Sequence, residues 1–238
     1  MNQAKLSQKL IITIVKKEKA KKVISQSKAA GANGGTVVLG TGFRFEDKSR
    51  FLGIPIKRER EIILTIVPNA IFLDVMARII HSVNLNRPKQ GIGFVIDLKK
   101  VTGMNHDLNI TEDSNKSYNE VKSKLTEQNM TYDLIVTIVN QGDSDKVVEA
   151  SKKAGARGGT IINGRGTGIH EQAKLFNILI EPEKEVILTL ITKDKTAQVL
   201  EAIEEGAHLN QPGKGIAFIV DVDQTIGINH ILSQTEKY

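Results

Sequence analysis

The chain has 238 residues, with 33 Lys and Arg against 27 Asp and Glu, and contains neither Cys nor Trp. The absence of cysteine excludes disulfides, thiolate zinc sites and a cysteine nucleophile. At 40% hydrophobic and 25% charged the composition is that of a folded globular protein. No apolar run approaches the ~18 residues a membrane helix needs, and MNQAKLSQKLIITIVKK lacks signal-peptide architecture, so a cytoplasmic location is expected.

In chain order, Leu10–Val15 is apolar and β-branched and reads as a strand. A helix follows, opened by the basic run Lys16-Lys17-Glu18-Lys19-Ala20-Lys21-Lys22 and closed at Gly31. Thr36–Leu39 is a second strand, 40–57 a loop rich in Gly and charge, and Ile62–Val67 a long third strand. A second helix (about 70–83), a polar turn and the strand Ile92–Ile96 complete the order βαββαβ, the split ferredoxin-like unit. Residues 108–131 are polar and read as a linker, with a helical turn around Tyr118–Leu125. The same order then begins again. Strand Leu134–Val139 leads to a helix opened by Asp143 or Ser144 and ended at Gly155, then strand Thr160–Ile162 and a loop over 164–181. Strand Val186–Ile191, a helix over 194–205 and strand Ile216–Val220 finish it.

An offset of 124 aligns Gly31-Ala32-Asn33-Gly34-Gly35-Thr36 with Gly155-Ala156-Arg157-Gly158-Gly159-Thr160 and holds without a gap from Leu10/Leu134 to His106/His230. Of those 97 paired positions 36 are identical, so the domain is written twice. The expected class is α+β: two ferredoxin-like βαββαβ domains in tandem, residues 1–107 and 132–238, joined by 108–131. An antiparallel sheet with helices on one face alternates apolar and polar residues. IITIV, IILTIV and AFIVDV are nearly unbroken, which predicts that both sheet faces are covered, the second by another copy of the sheet.

GTIINGRGTG after the first helix of the second copy, EPEKEVILTL entering its third strand and LNQPGKGIAFIVDVDQTIGI at its end resemble the P-II (nitrogen regulatory) signal-transduction proteins. The resemblance covers about 97 residues of each copy and is more eroded in the first. It implies a ferredoxin-like domain that trimerises with its sheets lining a central barrel. It also implies a T-loop between strands two and three that reaches a target protein, such as a transporter or metabolic enzyme. Small effectors, typically ATP or ADP with 2-oxoglutarate, would lie in clefts between subunits, walled by the T-loop base and a Gly-rich B-loop. The T-loops map to 41–58 and 165–182. The B-loops map to Asn210-Gln211-Pro212-Gly213-Lys214-Gly215 and Asn86-Arg87-Pro88-Lys89-Gln90-Gly91. The chain departs from the pattern at four places. The family's Gln at the T-loop base is Gly168 or Arg44, and the Lys at its far end is Glu183 or Glu59. The Lys after the B-loop is Ile216 or Ile92, and the Arg pair after the last strand is Gly227/Asn229 or Gly103/Asn105. These losses argue against the magnesium–2-oxoglutarate set and leave ATP, ADP, AMP or another adenine nucleotide as the expected effector. Ser49 is no convincing match to the residue that some members modify covalently.

The candidate ligand-binding residues are therefore Gly164, Arg165, Gly166, Thr167 and Gly168 with Asn210, Pro212, Gly213, Lys214 and Gly215, and in the first copy Gly40, Gly42, Asn86, Lys89 and Gly91. Glycines expose backbone N–H groups to an anion and Arg165 offers a bidentate fork; the plainer reading of the same glycines is a sharp strand exit. His106, His170 and His230 have no i,i+4 partner and read as ordinary histidines. No catalytic triad or carboxylate pair stands out, so no enzyme is expected. Charge is uneven: residues 1–124 hold 22 basic and 11 acidic side chains, residues 125–238 hold 11 and 16. The basic half could bind nucleic acid, but no aromatic platform accompanies it, and a solvated face is the simpler account. The expected assembly is a homotrimer carrying one ring of first copies and one of second copies. The rival readings are a scaffold of the same fold without a ligand and a nucleic-acid binder.

Overall fold

The computed structural model describes residues 7–44, 58–103, 131–166 and 182–228, with the backbone of the pairs 50–51, 54–55, 174–175 and 178–179. The expected linker 108–131 apart from Thr131, most of both T-loops, and Ser49, Asn105, His106, Thr167, Gly168, His170, Asn229 and His230 lie outside the described residues.

The first copy runs β1 (Gln8–Lys16), α1 (Ala20–Ala29), β2 (Thr36–Arg44), β3 (Arg58–Pro68), α2 (Phe72–Val83) and β4 (Gly91–Leu98). The second runs β5 (Tyr132–Asn140), α3 (Ser144–Lys153), β6 (Gly158–Arg165), β7 (Glu183–Thr192), a 3-10 turn (Lys193–Lys195), α4 (Thr196–Gly206) and β8 (Gly215–Val222), followed by a short β9 (Gln224–Ile226). Two-residue pairs, Arg50–Phe51 with Ile54–Pro55 and Lys174–Leu175 with Ile178–Leu179, form small ladders inside the expected loops. The βαββαβ order is met in both copies, and each sheet has its last strand beside its first: β4-β1-β3-β2 and β8-β5-β7-β6.

The chain forms two compact units whose membership does not follow the copies. The first takes residues 7–38, 61–103 and 131 with 222–228; the second takes 39–44 and 58–60 with 132–166 and 182–221. Two strand pairings explain this. In the first unit β9 adds to the outer edge of β4 (Gln224↔Val95, Thr225↔Phe94, Ile226↔Gly93). In the second, the end of β2 pairs with β6 (Gly40↔Ile162 through Arg44↔Gly158). Residues 40–44, read from sequence as the start of a loop, therefore continue the strand, because a partner lies within reach of their backbone groups.

Each helix pair lies on one face of its sheet over an apolar core. In the first unit Ile11, Val15, Ile63, Val67 and Val95 meet Val23, Val75, Met76 and Ile79, and Ile226 of β9 joins them. In the second, Ile135, Val139, Ile161, Ile187 and Ile191 meet Val147, Val199 and Ile203. Among these apolar residues sit four fully buried threonines, Thr13, Thr65, Thr137 and Thr189, each pair related by the 124-residue offset. Their hydroxyls have no hydrogen-bond partner. The residues that alternate to the other face, Ile12, Ile14, Ile62 and Phe94 in one unit and Leu134 and Val136 in the other, are buried as well. The prediction that both faces are covered holds for these central strands but not for the outer ones, where Leu39 of β2 and Ile216, Phe218 and Ile219 of β8 are exposed.

The helix starts hold a surprise. Asp143 occupies the cap position of α3 but makes no capping hydrogen bond. Instead the Glu185 carboxylate, from β7, accepts the backbone N–H groups of Gly142 and Ser144 at 2.9 and 3.0 Å. Glu61 does the same for α1, accepting from Lys19 and Ala20 at 2.9 and 2.7 Å. A carboxylate there satisfies orphan amides and complements the helix dipole. The helix opens at Asp143 and Ser144 as expected, but the carboxylate that satisfies its first amides comes from Glu185.

Candidate functional site

The site follows from register. β7 lies between β5 and β6, and its first residues set Glu183 opposite Arg165 and Lys184 opposite both Gly164 and Asn140. Side chains from three strand ends thereby gather at one end of the second unit's sheet. Gln141, Asn163, Gly164, Arg165, Glu183 and Lys184 line an open cleft of about 320 Å³. The Lys184 ammonium donates to Asn140 Oδ1 at 2.6 Å. Asn140 in turn donates through Nδ2 to the Gly213 carbonyl at 3.0 Å. The strand end expected to carry the T-loop and the expected B-loop are thus joined by two residues, Asn140 and Lys184, that the sequence reading did not single out.

The glycines of the two walls differ in kind. A Cβ on Gly164 would meet nothing within 4 Å, and one on Gly166 would meet only Lys184 Cγ at 3.9 Å. Neither has a positive φ, so neither packing nor backbone conformation requires glycine at these places. What the missing side chains leave is accessible backbone beside Arg165. Gly215 is different: its φ is +143° and a Cβ would run into the Ile138 carbonyl, so it serves the turn into β8. The B-loop is otherwise a tight chain reversal, with Gln211 N–H donating to the His208 carbonyl and Lys214 N–H to the Gln211 carbonyl. Asn210, Pro212 and Gly213 are exposed and Lys214 half-buried.

The first copy builds no equivalent from its matching residues. Lys16 stands where Asn140 does and Arg60 where Lys184 does, two cations that cannot make the amide relay. Leu39, 70% exposed, replaces Asn163. Gly40 and Gly42 lie inside β2, and a Cβ on Gly42 would meet Arg60 Cγ at 2.9 Å. Asn86 and Lys89 are exposed in their turn, while Gly91 packs against the Ile14 carbonyl. Among the described residues no group of three or more His, Asp or Glu gathers as a metal site. No helix among them is long and apolar enough to cross a membrane.

Two helices on one face of a four-stranded sheet with its last strand beside its first, built twice, define a ferredoxin-like α+β protein. Residues 132–230 match the family model of the nitrogen regulatory protein P-II, so the resemblance read from the loops holds for the second copy. Among solved structures the chain is similar to one described as the crystal structure of Arabidopsis thaliana PII bound to citrate. The match has 24% identity, covers 39% of this chain and 75% of that one, and has a TM-score of 0.30. A search of the curated proteins finds no match to the chain.

Proposed function

We propose that the chain is a P-II-type regulator whose second copy takes up a small anionic effector, an adenine nucleotide, at the cleft between β6 and β7. Occupancy is passed to a target protein, such as a transporter or metabolic enzyme, through the T-loops 41–58 and 165–182. The observation that carries this reading is the pairing of dispensable glycines, Gly164 and Gly166, with Arg165 and the Lys184–Asn140–Gly213 relay. Bare backbone lets oxyanions approach N–H groups, Arg165 supplies a planar fork, and Lys184 supplies a point charge. Glu183 shares the cleft and sets a carboxylate where the family has a lysine, which disfavours the magnesium–2-oxoglutarate set.

A volume of about 320 Å³ is at the small end of ligand sites, which span roughly 300–1,000 Å³. It suits the phosphate-bearing part of a nucleotide, and the rest is to be covered across a subunit boundary. The reading therefore includes self-association as a homotrimer of chains, each carrying domains 1–107 and 132–238 joined by 108–131, in the cytoplasm and without catalysis. A ring of first copies would have to displace β9 from the edge of β4, so the second copy is the one to meet another chain. Isothermal titration of the full chain with ATP, ADP, AMP, cyclic AMP and 2-oxoglutarate tests the reading. Binding of an adenine nucleotide, weakened at least tenfold in Arg165→Ala, is expected; silence from the whole panel overturns it.

A further inference from the structure

The two copies differ most at their outer strand edge. Phe94 and Val95 of β4 are 0% exposed, whereas their counterparts on β8, Phe218 and Ile219, are 45% and 44% exposed. The difference has a visible source. β4 has β1 on one side and β9 on the other, while β8 has β5 on one side and, among the described residues, no strand on the other. β9 comes from the second copy, and its equivalent in the first copy, Lys100-Val101-Thr102, belongs to no strand.

That unused segment already has the shape of the used one. Gly227, which ends β9, and Gly103, its counterpart, have the same left-handed φ of +80°. Around Gly227 a Cβ would meet the Gly91 carbonyl at 2.5 Å and the Leu85 carbonyl at 3.1 Å; around Gly103 there is nothing within 4 Å. The turn is made without the surface it fits.

We infer that the edge of β8 is a docking site for residues 99–103 of a second copy of this chain, in the register that β9 adopts on β4. Carried over by the 124-residue offset, Lys100 lies opposite Ile219, Val101 opposite Phe218 and Thr102 opposite Ala217. Side-chain volumes compensate across the two docks. Ile226 lies opposite Gly93 in the filled one, and the smaller Thr102 faces the larger Ala217 in the open one. Val101 against Phe218 is a β-branched–aromatic pair of the kind that stabilises adjacent strands.

Charge fits the same register, with the signs at two of its three positions exchanged. In the filled dock Lys9 donates to Asp97 at 2.6 Å and to the incoming Asp223 at 2.8 Å. The counterparts in the open dock are Asp133 for Lys9, Asp221 for Asp97 and, on the incoming segment, Lys99 for Asp223. Asp221 pairs with Lys193 at 2.5 Å and is largely exposed; Asp133 accepts from the Thr196 hydroxyl. Lys99 would therefore join a cluster in which Lys193 already pairs with Asp221 and lies in the field of Asp133. The exchange also sets specificity, since Lys99 on β4 would face Lys9 and Asp223 on β8 would face Asp133 and Asp221. One donor segment and one acceptor edge per chain close as a reciprocal pair or as a ring. The effector plays no part in this inference.

The chain has no cysteine, so cross-linking is clean. Val101→Cys and Phe218→Cys chains, mixed and oxidised, are expected to give a disulfide between one of each. The wild type should sediment as an assembly at micromolar concentration. Lys99→Glu should weaken that assembly at least tenfold while leaving the circular dichroism unchanged, and Asp221→Lys in the same chain should restore part of it. A wild-type monomer at micromolar concentration would overturn the inference, as would a Val101→Cys/Phe218→Cys chain that closes its disulfide internally while remaining monomeric.

Discussion

Removing the Glu185 carboxylate tests how far the helix starts depend on a residue about forty positions away. One oxygen, Oε2, accepts two amides at 2.9 and 3.0 Å. One of them belongs to Ser144, which is buried, so water does not readily replace the lost acceptor. A helix-cap loss costs about 0.5–2 kcal/mol, and the buried amide places Glu185→Ala toward the top of that range, about 1.5–2 kcal/mol. Glu185→Gln keeps a neutral acceptor and loses mainly the dipole interaction, about 0.3–1 kcal/mol. Asp143→Ala removes only the surface pair with Lys146 and should cost less than about 0.5 kcal/mol. Urea unfolding followed by circular dichroism reads the shifts in midpoint at constant slope, and amide exchange at 142–146 should quicken in the Ala variant. An unchanged midpoint in Glu185→Ala, or a larger loss in Asp143→Ala, would refute the argument. Glu61→Ala should repeat the Glu185 result at α1.

The sequence-equivalent phenylalanines should separate: Phe94→Ala is expected to cost about 3–5 kcal/mol, as a filled core site does. Phe218→Ala in dilute, unassembled protein should cost less than half as much in the same urea titration. Thr137→Val removes a buried hydroxyl without a partner and should raise stability by about 1 kcal/mol; a drop would mean that a bound water satisfies it. Burial lowers the Lys9 pKa, but hydrogen bonds and charge from Asp223 and Asp97 outweigh it and leave the value raised above the ordinary 10.5. The stability that Lys9 contributes is therefore full below pH 10.5 and is lost as the pH rises through the raised value. Lys9→Met should abolish that alkaline loss in unfolding titrations. Glu183→Gln removes a carboxylate from the cleft wall and should tighten nucleotide binding several-fold by calorimetry; weaker binding would show that Glu183 instead orders Arg165.

The amino-acid order determined the duplication, the βαββαβ order of each copy and the two-sided burial of the central strands, because periodicity and unbroken β-branched runs are local records of what a strand must hide. It also marked Gly164, Arg165 and Gly166, whose residue types advertise open backbone next to charge. Tertiary structure decided the rest. That Lys184 and Asn140 join the cleft to the B-loop depends on three strand ends meeting, and Glu185 reaches α3 only because β7 lies beside it. That β9 closes the edge of β4, while the matching residues 100–102 pair with no strand among the described residues, does not follow from a repeat in which 36 of 97 positions agree. Strand pairing is a long-range choice, set by which backbone edge lies within reach, and sequence spacing carries no record of that distance.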